Sequence, residues 1–338
     1  MLFVEKHPDI GYSDRLPYRL NEDLSDFVST IYSKKLKPQK SQTNKIAKRL
    51  LELSNINDGR GILNEIELDA RDFLACIAKA MLRKPQGSLR PPRRTVLAKL
   101  PAESQLDETA QMLSLALIQL RTHSSRPELS GMEAYVRGEA ALAAALVRWL
   151  QHVAPHESVF VATPHRIQRH AVRENLKTPS DGADLADLLA ELHLENGASG
   201  EEGAMKGNVT VDTIERLQGR LLLRIHPLQN LSNHSVTGSE ASFVICLFSL
   251  PSSQQASLNF MLDRRRLNVA LSRAKTLCIL ITSPTVLRPN VRILADPAAA
   301  RGWAFLRSYE ERAWIGDIDI NLDDVIPATE VNQTGSTP

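Results

Sequence analysis

Four arginines close together in the second half of the chain are the residues best suited to chemistry. Arg264, Arg265 and Arg266 follow Asp263 directly, and Arg273 stands just ahead of the apolar run Thr276–Thr282. A helical turn that leads from the triplet into a strand would set several guanidinium forks along one edge of a sheet. That planar, permanently charged fork suits bidentate recognition of phosphate. A solvated basic turn is the competing reading, and one or two members of the triplet are enough for a phosphate role. Thr163 and Pro164 close another apolar run, Val159–Ala162. Open α/β sheets carry ligands at such strand ends, although a plain Thr-Pro turn would look the same. Metal chemistry is not expected. Cys76, Cys246 and Cys278 are widely spaced and read as buried structural thiols. His165 and His170 lack ligand-spaced partners and are expected at the surface.

The stretch Asp263–Lys275 closely resembles the last motif of superfamily 1 helicases, in the branch of the nonsense-mediated-decay and Okazaki-fragment-processing helicases. Three further motifs support the resemblance in the family's order. Leu16–Glu22 with Phe27–Tyr32 is similar to the Tyr-Arg motif, Val159–Arg169 to the strand and loop ending in Thr-Pro-x-x-x-Gln, and Val211–Gly219 to the Gln-Gly-x-Glu motif. Together they cover most of residues 11–283. The resemblance implies that Arg19 and Arg273 reach the γ-phosphate of ATP. It also implies that Gln218, Gly219, Glu240 and Arg266 lie at the nucleotide, and that Thr163, Pro164, Arg166 and Gln168 contact single-stranded DNA or RNA. ATP with Mg2+ would then bind only at an interface with a first RecA-like lobe, in cis or in trans.

Two departures qualify what the resemblance implies. The family's first lobe holds phosphates on a Gly-x-x-x-x-Gly-Lys-Ser/Thr loop, and no Gly-Lys pair occurs in these 338 residues. Asp107 and Glu108 look like the acidic magnesium motif, but they follow a polar stretch and come after the Tyr-Arg motif. They read better as the first turn of a helix, where carboxylates favour the dipole. Second, Arg220–Gly238 separates Gln218-Gly219 from the Glu240-Ala241 that the family places almost directly after it. A translated intron retained in the reading frame is the favoured explanation. A real loop insertion is the alternative, since loops tolerate added length at modest entropic cost. The expectation is a lobe that does not hydrolyse ATP alone, with a non-catalytic nucleic-acid-binding or scaffold module as the second reading.

The elements needed to position these residues read as alternating strands and helices. Strands are predicted at Thr95–Leu97, Ser158–Ala162, Val209–Thr213, Phe243–Ser249 and Thr276–Thr282. Helices are predicted within 41–84, at Asp107–Thr122 and at Glu133–Val153, where Leu142, Leu146 and Leu150 share one face. The expected fold class is α/β, a mostly parallel sheet with helices on both faces, as in the second lobe of a RecA-like P-loop NTPase. The lobe is assigned to residues 1–315, with a helical, Pro-rich insertion at about 36–130 and a disordered acidic tail at 316–338. Trp149, Trp303 and Trp314 are read as helix packing. The composition, 43% hydrophobic with a net charge of +2, suits one sizeable core and gives no strong nucleic-acid footprint by itself. Basic residues nevertheless cluster at Arg90–Arg94, Arg166–Arg173 and Arg264–Arg266. No apolar run is long enough to cross a bilayer. The protein is expected to be soluble and intracellular, nuclear or cytoplasmic, with no membrane partner.

Overall fold

Four apolar runs expected as strands lie side by side in one sheet. A computed structural model describes residues 24, 27, 43–55, 64–82, 114–126, 131–177, 204–205, 208–216 and 241–325. The strands among them are β1 (Leu115–His123), β2 (Val159–Thr163), β3 (Ala204–Met205), β4 (Val209–Thr213), β5 (Ala241–Phe248), β6 (Ala274–Thr282) and β7 (Trp314–Asn321). Their spatial order is β3-β4-β2-β5-β6-β1-β7. All neighbouring pairs are parallel except the two-residue β3, which runs antiparallel to β4. The fold is therefore α/β with a mostly parallel sheet.

Parallel neighbours need crossover connections, and helices supply them on both faces. One face carries α1 (Thr43–Glu52), α2 (Glu65–Leu82), α3 (Met132–Val153) and α4 (Arg166–Leu176). The other carries α5 (Leu258–Met261), α6 (Arg264–Leu271), α7 (Pro284–Leu287), α8 (Val291–Leu294) and α9 (Pro297–Arg312). Side chains alternate across each strand. Phe243, Ile245 and Leu247 pack under the first group of helices, and Val244, Cys246 and Phe248 under the second. The same division separates Leu277, Ile279 and Ile281 from Cys278 and Leu280. Both layers are dry, and Cys246 and Cys278 are buried in the second. Cys76, on α2, is only half-buried.

Three expectations are corrected. Residues 115–122, read as part of a helix, form β1, a central strand between β6 and β7. Leu115-Ala-Leu-Ile is a short apolar run, and periodicity cannot tell such a strand from a buried helix. For the same reason the stretch expected as an insertion contributes to the core. β1 lies in the sheet, and α2 packs on β7, with Phe73 against Trp314 at 5.5 Å between ring centroids. Third, the segment from Gly316, expected as disordered, opens inside β7 and continues into the helical turn Leu322–Asp324. Asp323 anchors it, accepting Ser124 Oγ at 2.6 Å, the Ser125 backbone N–H at 2.9 Å and the Ser125 hydroxyl. Those three bonds hold its carboxyl down at about 2. Ala204–Met205 forms the short β3 at the sheet edge. The strand expected at Thr95–Leu97 and the segment 220–238 lie outside the described residues.

Two contacts lock α9 to the sheet. The buried Tyr309 hydroxyl points between Ala116 O at 2.9 Å and Cys278 O at 3.0 Å, so one side chain ties α9 to both β1 and β6. At Gly302 the helix meets the Leu262 backbone so closely that a Cβ would fall 1.6 Å from Leu262 O. Glycine is required there for close approach, and the contact fixes the corner between α5 and α6. The tryptophans are packing residues. Trp149 donates to Glu67 O and Trp303 to Leu287 O, while Trp314 sits on a strand, not a helix.

Candidate functional site

The expected site residues divide between opposite edges of the sheet, and α6 lies on the crossover that leads from one edge to the other. Asp263 caps that helix by accepting the Arg265 N–H at 2.8 Å, the role an aspartate ahead of a helical run favours. Arg264 and Arg265 are exposed and Arg266 is half-buried. Eight residues later in the chain, β6 begins. Eight helical residues span about 12 Å, about half the length of the eight-residue β5, so α6 makes the last part of the return from the C-terminal edge of β5 to the N-terminal edge of β6.

At that N-terminal edge, Arg273 immediately precedes β6 and its carbonyl accepts the Ala241 N–H at 3.0 Å. Ala241 is the first residue of β5 and directly follows Glu240. The residue that ends the arginine-bearing stretch before β6 and the first residue of β5 therefore meet through the backbone. Arg19, Gln218, Gly219 and Glu240 themselves lie outside the described residues.

The C-terminal edge holds the other group. Thr163 ends β2 fully buried, its Oγ1 donating to Asp212 O at 3.4 Å, and Pro164 is buried behind it. Arg166, in the first turn of α4, is exposed. Gln168 is 1% exposed and takes part in the cap of α4, accepting the His165 N–H at 3.2 Å. The next residue, Arg169, forms a buried ion pair with Asp212 at 3.6 Å, which holds α4 against β4.

His165 was expected at the surface, but the structure half-buries it. Its ring stacks on Phe260 with 4.7 Å between centroids and 18° between planes. The Arg266 guanidinium lies over the same Phe260 ring at 3.7 Å, a cation–π geometry. Arg266 also pairs with Glu215 at 3.1 Å and with Asp263 at 3.8 Å. The loop after β2, the end of β4 and the start of α6 thus converge on one aromatic ring. Burial lowers the His165 pKa and so does Arg266, while Glu215 works against them.

Beneath this edge lies a residue that motif reading missed. Glu139, on α3, is fully buried among apolar side chains. Its carboxylate accepts Gln168 Nε2 at 2.6 Å and Ser249 Oγ at 2.6 Å. Burial pushes its carboxyl up to about 7, against the two hydrogen bonds, which pull the other way. Tyr135 stands one turn earlier in the same pocket, and burial together with the Glu139 charge pushes its phenol well up. A sequence signal did exist. Tyr135, Glu139, Leu142, Leu146 and Leu150 recur at helical spacing, so the glutamate falls on the apolar stripe of α3.

Among the described residues no group of three His, Cys, Asp or Glu side chains could hold a metal ion. Nor is any helix among them long and apolar enough to cross a membrane.

Residues 229–285, which include α6 and the adjacent strands β5 and β6, match the family model described as AAA domain. The class that fold and match define is a P-loop-NTPase-like α/β domain. More particularly, over 147 residues, 42% of this chain, the sequence is 30% identical to a Saccharomyces cerevisiae protein named "Putative ATP-dependent RNA helicase ECM32". The aligned stretch is 12% of that protein's length, so the chain spans a small part of the relative it matches.

Proposed function

We propose that this chain acts as the C-terminal lobe of an ATP-dependent nucleic-acid helicase. The observation that carries the reading is α6. It begins beside the His165–Phe260 stack and leads to Arg273 at the opposite edge, so a strand contact and a phosphate contact share one short element. ATP held against a first lobe supplies the γ-phosphoryl group that passes to water. Arg273, with Arg19, stabilises the negative charge that develops on that group. Gln218, Gly219 and Glu240 line the same cleft. Arg266, expected at the nucleotide, sits instead at the far end of α6 from Arg273, where its contacts with Glu215 and Phe260 couple the helix to the loop after β2. Arg166 neutralises a backbone phosphate of the single strand, and Thr163, Pro164 and Gln168 shape the loop that presents it. With no phosphate loop in the sequence, the 338 residues alone hydrolyse no ATP.

Two assays test the two halves of the reading. Anisotropy with labelled single-stranded RNA and DNA should show binding that weakens steeply as salt rises; no binding of either at low salt would overturn the strand contact. The chain should then be joined to the phosphate-loop lobe of a superfamily 1 helicase. Arg273→Ala is expected to lower ATP hydrolysis by about a thousandfold or more and to leave nucleotide-free strand binding unchanged. If strands bind but nucleotide never alters the affinity, the chain is a binding module.

A further inference from the structure

Glu139 is the described residue whose placement the helicase reading leaves unexplained. A carboxylate on the apolar stripe of a helix carries a desolvation penalty that an apolar side chain of the same size would avoid. Its two hydrogen bonds suggest what it does there. Glu139 Oε2 accepts from the amide nitrogen of Gln168. That fixes the amide the other way round at its far end and leaves Oε1 to receive the His165 N–H. The line from α3 through Gln168 therefore ends on the backbone of the residue that turns the chain from β2 into α4.

The second bond extends the network along the sheet edge. Ser249 follows β5 and donates to Glu139. The next residue, Leu250, exchanges two hydrogen bonds with Ser283 beyond β6, its carbonyl accepting Ser283 Oγ at 2.7 Å and its N–H reaching the same oxygen at 3.1 Å. Glu139 thus registers the loop after β2 against the ends of β5 and β6. Tyr135 is the other titratable group in this pocket, and its hydroxyl has no hydrogen bond of acceptable geometry.

We propose that Glu139 is a positioning residue for strand binding: by orienting the Gln168 amide it fixes the His165 backbone, and with it the direction in which the His165 ring and Arg166 leave the sheet edge. This rests on the strand-binding half of the proposed function. Glutamine can keep the contact the proposal turns on, since its oxygen still accepts from Gln168 Nε2. Leucine fills the space without it.

The test uses the full chain with Glu139→Gln, Glu139→Leu and Gln168→Leu. Amide hydrogen exchange at His165 is followed alongside anisotropy with a labelled single-stranded oligonucleotide. Loss of the cap should speed His165 exchange and weaken binding by about tenfold in both leucine variants, the scale of one lost hydrogen bond. Amides of β5 and β6 should stay protected, and Glu139→Gln should behave as the natural chain does. Natural protection at His165 in Glu139→Leu would overturn the proposal. So would faster exchange with unchanged affinity, or a Glu139→Gln variant that behaves like the leucine. Should Glu139→Leu fail to fold, Gln168→Leu decides by the same criteria. A natural chain that binds no strand while its variants show the expected exchange would overturn the binding role and the helicase reading together, and leave the hydrogen-bond relay standing as architecture.

Discussion

Burial raises the Glu139 carboxyl from its ordinary 4.5 to about 7, so between those values the folded chain holds a proton that the unfolded chain has released. The stability associated with this group is complete below about pH 4.5 and is lost as pH rises through about 7. At pH 8 the penalty is on the order of 3 kcal/mol. Glu139→Gln removes the titration while keeping the contact with Gln168. Urea unfolding at pH 5 and pH 8 should show the natural chain losing more stability between them than the variant, by about 1–3 kcal/mol. Parallel behaviour would mean that the carboxylate is not buried in solution. At His165 the cation of Arg266 is one of the groups that depress the imidazole, and Glu215 opposes it. Arg266→Met should therefore raise the His165 pKa, measured from the ring C2 proton by NMR. An unchanged value would place control of the ring in burial alone.

The corner between α5 and α6 depends on Gly302. In an isolated helix Gly→Ala would stabilise by about 1 kcal/mol. Here the new methyl would lie 1.6 Å from Leu262 O, a backbone atom that cannot swing aside. Gly302→Ala should cost about 2–3 kcal/mol or more in urea unfolding, and a neutral or stabilising result would mean that α9 does not press on this corner. At the other edge, Asp323 holds the turn after β7 to Ser124 and Ser125. Its carboxyl is depressed, so this support is present above about pH 3.8 and is lost as pH falls toward about 2. β7 and β1 also mark where element reading from sequence failed. Trp314–Asn321 alternates acidic and apolar residues, and its aspartates suggested an unstructured tail. Only pairing with β1 makes it a strand. β6 was legible because its apolar run is long and follows a capped, basic helix.

For the molecule as a whole, a net charge of +2 gives little general attraction for nucleic acid. The proposed strand binding rests on local contacts at the sheet edge, Arg166 among them. Each phosphate neutralised contributes a step to the salt dependence, so Arg166→Ala should reduce the slope of log K against log salt by about 1 and weaken RNA and DNA alike. An unchanged slope would put the strand elsewhere on the molecule.

The amino-acid sequence by itself determined the fold class and the arginine-bearing helix. Apolar runs alternating with amphipathic stretches admit few solutions other than a helix-covered parallel sheet, and Asp263 before three arginines is a helix start with a cationic face. It also placed Glu139 on an apolar stripe, a signal that no motif named. The tertiary structure alone decided which residues face one another. That Phe260 would gather His165 and Arg266, and that Glu139 would meet Gln168 and Ser249, depends on strand order and crossover paths. Those bring residues from distant parts of the chain within a few ångströms, and no local spacing records such contacts.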